Sequence, residues 1–180
     1  MHTTVVTSLD QITAAAWNRL MPADGNPFLR HEFLAALERH GCVGERWGWL
    51  PHHLLAYAGT ELVGAVPLYL KYNSYGEFVF DWSWAEAYRR AGLAYYPKLV
   101  ATVPYTPVAG PRLLVAPNAD AGRVRTALTR AALDLARERE ASSLHSLFTV
   151  PAANEPPAAP GTARRDGRPS RILGRPRWPC

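Results

Sequence analysis

The sequence predicts an α/β protein, a mixed sheet with flanking helices carried by residues 1–148 and followed by a disordered tail over residues 149–180. Three observations predict it. Hydrophobic periodicity switches along the chain between 3.6 and 2 residues, which orders the elements as β, α, α, β, β, short α, β, β, α, β. Of the 180 residues 48% are hydrophobic and 19% charged, enough apolar material for one core. Beyond residue 150 that composition stops: Pro, Arg, Ala and Gly make 21 of the last 30 residues, and such a segment buries too little surface to offset its conformational entropy.

Residues 3–8 are β-branched or hydroxylic and suit a first strand. Ser8 or Asp10 can cap a helix in which Ile12, Ala15, Ala16, Trp17, Leu20 and Met21 recur at helical spacing. The turn cluster from Pro22 to Pro27 ends it. A second helix is expected from Pro27 to His40, with Phe28, Leu29, Phe33, Leu34 and Leu37 on one face and Gly41 just past its end. From His52 the period becomes 2: His53–Ala58, the turn Gly59-Thr60 and Glu61–Tyr72 read as a β-hairpin, with Pro67 at a bulge or an unpaired edge position. An aromatic segment, Tyr72–Trp84, leads into a short helix over 85–91, and strands follow at 98–104 and 111–116. Asn118 or Asp120 caps a long helix over 121–140, with Val124, Leu128, Ala131, Ala132 and Leu135 as its buried stripe. A last strand at 143–148 would complete a right-handed parallel crossover with 111–116.

The net charge of +5 and a pI near 9.5 suggest nucleic acid. The distribution argues otherwise, because residues 1–150 hold 14 basic and 13 acidic side chains while the tail holds six Arg against Glu155 and Asp166. Of the 20 basic residues only Lys71 and Lys98 are lysines, a bias that reads as GC-rich coding. The tail has the same bias, and residues from about Thr149 onward read as a shifted frame or truncated gene model. No apolar run approaches the roughly 18–20 residues that span a bilayer, and Met1-His2-Thr3-Thr4 lacks the start of a secretory signal, so a cytoplasmic protein is expected. Cys42 and Cys180 form no disulfide framework and read as free thiols. His31, His40, His52, His53 and His145 show no metal-ligand spacing, and no metal is expected.

Two constellations carry chemistry. Residues 70–84, with Tyr95–Leu99 and Pro104–Val108, gather aromatic rings around Lys71, Glu77, Asp81 and Lys98, the makings of a cleft for a small polar substrate. The plainer readings are that the rings are core residues and that Asp81 caps the helix starting at Trp82. Spacing alone does not make Glu77 and Asp81 an acid/base pair. The second constellation is the strand, turn and helix of residues 111–140, whose helix N-terminus suits a phosphate with Arg112, Arg123 and Arg125 nearby. It carries only Gly110 and Gly122, no phosphate-loop pattern, and a plain crossover helix accounts for it as well.

Six ordered blocks carry a resemblance: His31–Glu38, Val43–Leu54, Val63–Lys71, Ser74–Trp82, Tyr95–Leu99 and Pro104–Leu114. Together they resemble the bacterial peptidoglycan biosynthesis/recognition family, which is similar to the FemAB-type branch of the GNAT N-acyltransferases. The resemblance implies a GNAT-like half-domain over 1–148, the first of two halves, with a second GNAT-like half as its missing partner. It implies transfer of an acyl or aminoacyl group to an amine on a small molecule or cell-wall precursor; the alternative is a catalytically inactive half with a structural or substrate-recognition role. Acetyl-CoA or another acyl-CoA is an implied donor, its pyrophosphate against residues 111–125, which makes Arg112, Gly122 and Arg123 cofactor-binding. The usual Arg/Gln-x-x-Gly-x-Gly/Ala loop is absent from Val115–Arg123. Aminoacyl-tRNA is a second implied donor. Lys71, Glu77, Asp81, Trp82 and Tyr105 are the implied substrate contacts, and no catalytic base is named.

Overall fold

The structure, a computed structural model, describes residues 1–22, 25–78 and 81–150, together with the backbone of 163–164 and 170–173. Two sheets share the described strands. The first has the order β1 (His2–Val6), β3 (His53–Ala58), β4 (Glu61–Val66), β7 (Leu114–Val115), all antiparallel. The second has the order β2 (Trp49–Pro51), β5 (Leu68–Lys71), β6 (Lys98–Ala101), β8 (Leu144–Leu147), β10 (Ser170–Leu173), β9 (Ala163–Arg164), and only β6 and β8 pair in parallel. Four α-helices flank them: α1 (Ala14–Asn18), α2 (His31–Arg39), α3 (Trp82–Arg90) and α4 (Ala121–Glu138).

One long hairpin runs through both sheets. Its first arm is β2 then β3 with His52 between them, and its second is β4 then β5 with Pro67 between them. Proline has no N–H to give a ladder, so the second arm breaks there and changes sheet. This is the interruption expected at Pro67, in the form of a strand break. Buried His53 repairs it, accepting the Leu68 N–H on Nδ1 at 3.2 Å. With Nδ1 an acceptor, Nε2 carries the proton and donates to Glu38 Oε1 at 2.9 Å. Glu38 Oε2 in turn accepts the Leu9 N–H at 2.8 Å, so one carboxylate on α2 ties the N-terminal turn to the bend of the hairpin. Burial, the largest single influence, works to raise the Glu38 carboxyl, but the bonds from His53, the Leu9 N–H and Ser8 together outweigh it and hold it below the ordinary value.

Apolar residues of α4, among them Val124, Leu128 and Leu135, pack on the hairpin strands in the larger core cluster. Close approach requires Gly64 of β4: a Cβ there would stand 3.1 Å from the Leu114 carbonyl oxygen and from Leu128 Cδ1, and would overlap Val124 Cγ1. A second cluster sets Trp17, Leu29 and Leu34 against Leu55 and Ala65. Gly41, in the left-handed region at φ 65°, ends α2 with bonds from its own N–H to Glu38 O and from Cys42 N–H to Leu37 O, the ending expected there.

Several expectations need correction. The helix expected from Ser8 to Met21 is two pieces, because Ser8 caps a 3-10 turn at Leu9–Gln11, Ile12 is extended, and Thr13 caps α1 afresh. Residues 27–40 divide likewise at the extended Arg30. Residues 111–116 and 143–148 do not form a parallel crossover, since β7 pairs with β4 in one sheet and β8 with β6 in the other. The short strand β2 lies outside the elements that periodicity predicts. Of the tail expected to be disordered, the described part is β9 and β10, and β10 lies antiparallel on β8, where an open edge offers unpaired backbone groups. The rest of that tail, Cys180 included, lies outside the described residues.

Candidate active site

The only two lysines of the chain stand opposite each other, Lys71 at the end of β5 and Lys98 at the start of β6. Two like charges directly opposite on one face repel, and both side chains are fully buried. The loop between the strands supplies the compensation. Lys98 Nζ donates to Glu77 Oε2 and Asp81 Oδ2, both at 2.8 Å, and to Ser74 Oγ at 3.1 Å. Tyr95 OH donates to the same Asp81 oxygen at 2.7 Å, and the Tyr96 and Ser74 hydroxyls bond at 2.8 Å. Lys71 Nζ lies 3.7 Å over the Trp49 ring and donates to Asn73 Oδ1 and the Tyr75 carbonyl, at 3.2 and 3.1 Å.

The electrostatics follow from burial and this pairing. Burial pushes the Lys71 ammonium down to about 7; Glu77 opposes the shift, and the Lys98 charge adds to it. Burial raises the Glu77 carboxyl above the ordinary value against the pull of Lys98. Burial also works to raise Asp81, but the charge of Lys98 and the bonds from Lys98 and Tyr95 outweigh it and hold that carboxyl below its ordinary value. His145 of β8 is driven down to about 4 by burial and then by Lys98. Glu77 Oε1 is buried and, among the described residues, has no hydrogen-bond partner, and the same holds for the Tyr69 hydroxyl.

Over this cluster lies an aromatic ledge. Tyr75 is 65% exposed and Trp82 50%, their rings edge to face at 5.2 Å, and Phe78 is exposed beside them at φ 56°. A positive φ at a bulky residue is strained. The Tyr105 N–H donates to the Gly76 carbonyl at 3.1 Å while its hydroxyl reaches the Cys42 carbonyl at 2.8 Å, fastening the loop. At φ 77°, Gly76 also leaves room for the Tyr105 ring, whose Cδ1 and Cε1 would lie 2.5 Å from a Cβ. The helix α3 behind the ledge buries none of its residues.

Lys71, Glu77 and Asp81 thus come together, around Lys98; Trp82 stands on the ledge and Tyr105 serves as its anchor. Asp81 precedes α3, but its carboxylate does not cap the helix, since Lys98 and Tyr95 claim it. Ser74, Tyr95 and Tyr96 fall within the segments gathered by sequence, whereas His145 lies outside them and is brought in by the parallel pairing of β8 with β6.

The second constellation is arranged differently. Buried Arg112 donates from Nε to the Leu147 carbonyl at 2.8 Å, and from Nη2 to the carbonyls of Val108 and Phe148 at 2.6 and 3.4 Å. Segment 108–112 lies along the end of β8, where Gly110 bridges Thr149, and burial lowers the Arg112 guanidinium to about 10. Asp120 caps α4 by accepting the Arg123 N–H at 3.0 Å, and a Cβ on Gly122 would meet that same carboxylate oxygen at 3.4 Å. A helix N-terminus grips a pyrophosphate with free N–H groups and positive potential. Here a carboxylate holds that position and Arg112 is spent on backbone carbonyls, so these residues do not fit the pyrophosphate of an acyl-CoA.

A family model for FemAB-like proteins, described as peptidoglycan biosynthesis/recognition, matches residues 8–170, and the chain belongs to that family. The architecture is that of a GNAT fold. Among solved structures it is similar to a tandem GNAT protein from the clavulanic acid biosynthesis pathway, solved without AcCoA, with TM-score 0.50 and 16% identity. The likeness covers 92% of this chain and 40% of that one. No curated protein matches the sequence. Among the described residues no helix is long and apolar enough to cross a membrane.

Proposed function

We propose that this chain takes part in N-acyl transfer to an amine carried by a cell-wall precursor, and that the cluster of residues 71–98 receives that amine. Membership of the FemAB-like family and the GNAT fold support the reaction class. The observation that carries the placement is Glu77: a buried carboxyl, raised above its ordinary value, with one oxygen held by Lys98 and the other without a partner. An amine attacks an acyl carbon only after losing a proton, and a carboxylate tuned upward is suited to take it. In this reading Glu77 Oε1 accepts the proton, Asp81 holds Lys98 in place, Lys71 adds less positive charge against the incoming ammonium than an ordinary lysine would, and the ledge of Tyr75, Phe78 and Trp82 lines the approach. A second GNAT-like half would complete the unit, a reading supported by the share of the tandem neighbour that the chain spans. The reaction belongs in the cytoplasm, and an aminoacyl-tRNA donor has only the family behind it. A half that recognises the precursor without turning it over is the second reading, favoured by the closed end of α4.

Calorimetric titration with a peptide-bearing precursor that has a free side-chain amine tests the proposal. Saturable heat is expected, abolished when that amine is acetylated beforehand and weakened about tenfold in Glu77→Gln, the loss of one charge-assisted hydrogen bond. Equal heats from the free and the acetylated amine would sink it.

A further inference from the structure

We propose that Asp120 is a specificity-determining residue that bars nucleotide pyrophosphates from this chain, so that a donor carried on such a group is held by a separate protein unit while this chain keeps to the acceptor. Three features meet there. The Asp120 carboxylate, at the N-cap of the helix, accepts the N–H of Arg123 at the third helical position, at 3.0 Å. It lies over Gly122, the one residue of the first turn whose missing side chain would let a phosphate come close. Arg112, the buried cation of the same constellation, has its Nε and both Nη atoms on the carbonyls of Val108, Pro111, Leu147 and Phe148.

The physics sets the sign. A carboxylate at a helix N-terminus completes the cap and cancels the partial positive charge that an anion would seek. A bisphosphate arriving there would face that negative charge at short range while gaining no guanidinium from Arg112. The inference draws its meaning from the acyl-transfer reading but is tested by binding alone, so loss of one does not entail loss of the other.

The test uses the full 180-residue chain with acetyl-CoA and adenosine 3′,5′-bisphosphate as probes, read by calorimetry and by the shift of the thermal midpoint. The wild type is expected to show no saturable heat and no shift with either up to millimolar probe, which sets the lower bound on its Kd against which the variant is read. In Asp120→Ser a hydroxyl keeps the cap while the charge is gone, and affinity for the bisphosphate is expected to rise about tenfold or more, with that gain falling as salt is added. Far-ultraviolet circular dichroism of the variant checks that α4 remains folded. Saturable binding of either probe by the wild type, weakened by Arg123→Ala, would overturn the proposal. A folded Asp120→Ser that stays as silent as the wild type would overturn it too.

Discussion

Lys98→Met is expected to lower the stability of the protein by about 3–5 kcal/mol, the cost of leaving a buried charge partner uncompensated. Lys98 is fully buried, and its ammonium is the shared partner of Glu77, Asp81 and Ser74. Methionine fills much of the volume but none of the charge, so the loss is electrostatic. The pH dependence identifies it. In the wild type Asp81 has a folded-state pKa below the unfolded one, so its contribution is present above the unfolded value and fades as pH falls through the folded one. Without Lys98, burial is the largest influence on Asp81 and is opposed chiefly by the Tyr95 bond, so that carboxyl is expected to rise and the variant to gain relative stability as acid protonates it. Urea denaturation at neutral and mildly acidic pH should therefore show a large gap between wild type and variant that narrows toward acid. Lys98→Met combined with Glu77→Gln and Asp81→Asn removes the stranded charges and is expected to recover part of the loss. A gap independent of pH would mean that packing, not charge, is what Lys98 supplies.

Glu38→Ala is expected to cost about 2–4 kcal/mol, because it strips partners from two groups at once. His53 Nε2–H and the Leu9 N–H both end on this carboxylate, and His53 has no exposure through which water could replace it. The damage should spread to the Leu68 N–H, whose acceptor is the other nitrogen of the same ring. Glu38→Gln keeps one acceptor oxygen and is expected to lose less than half as much. Amide exchange distinguishes this from a local effect on α2: in Glu38→Ala the amides of Leu9 and Leu68 should both exchange faster, although they lie on different elements.

The parts of the fold that were legible in the sequence are those fixed by local chemistry. The Gly41 ending, the Asp120 cap and the hairpin around Gly59 each depend on residues within one turn of chain. Pro67 announced an interruption, but not that the chain would change sheets there, which depends on β7 joining β4 and β6 joining β5 far along the sequence. The candidate site divides the same way. Lys71, Glu77 and Asp81 were grouped because they lie within eleven residues of one another, whereas His145 enters only through the parallel pairing of β8 with β6. Arg112 looked like an anion ligand beside a helix start, and only the tertiary structure shows its donors turned toward β8.

The composition carries one further signal besides coding bias. A chain that uses arginine at 18 of 20 basic positions places its two lysines opposite each other in the buried cluster. A guanidinium stays charged under nearly any burial, whereas an ammonium can give up its proton, as the position of Lys71 near 7 indicates. Two facing arginines would have needed two full countercharges; two lysines need fewer. The rarity of lysine was therefore a pointer to the site.

Hydrogen–deuterium exchange of the whole chain, with and without the free-amine precursor, tests the central claim most directly. Exchange across residues 72–78, 81–84 and 95–98 is expected to slow on adding the precursor, and not to slow with the N-acetylated form. Slowing confined to the cavity of about 480 Å³ around Asp10, Thr13, His31 and Arg39 would contradict it.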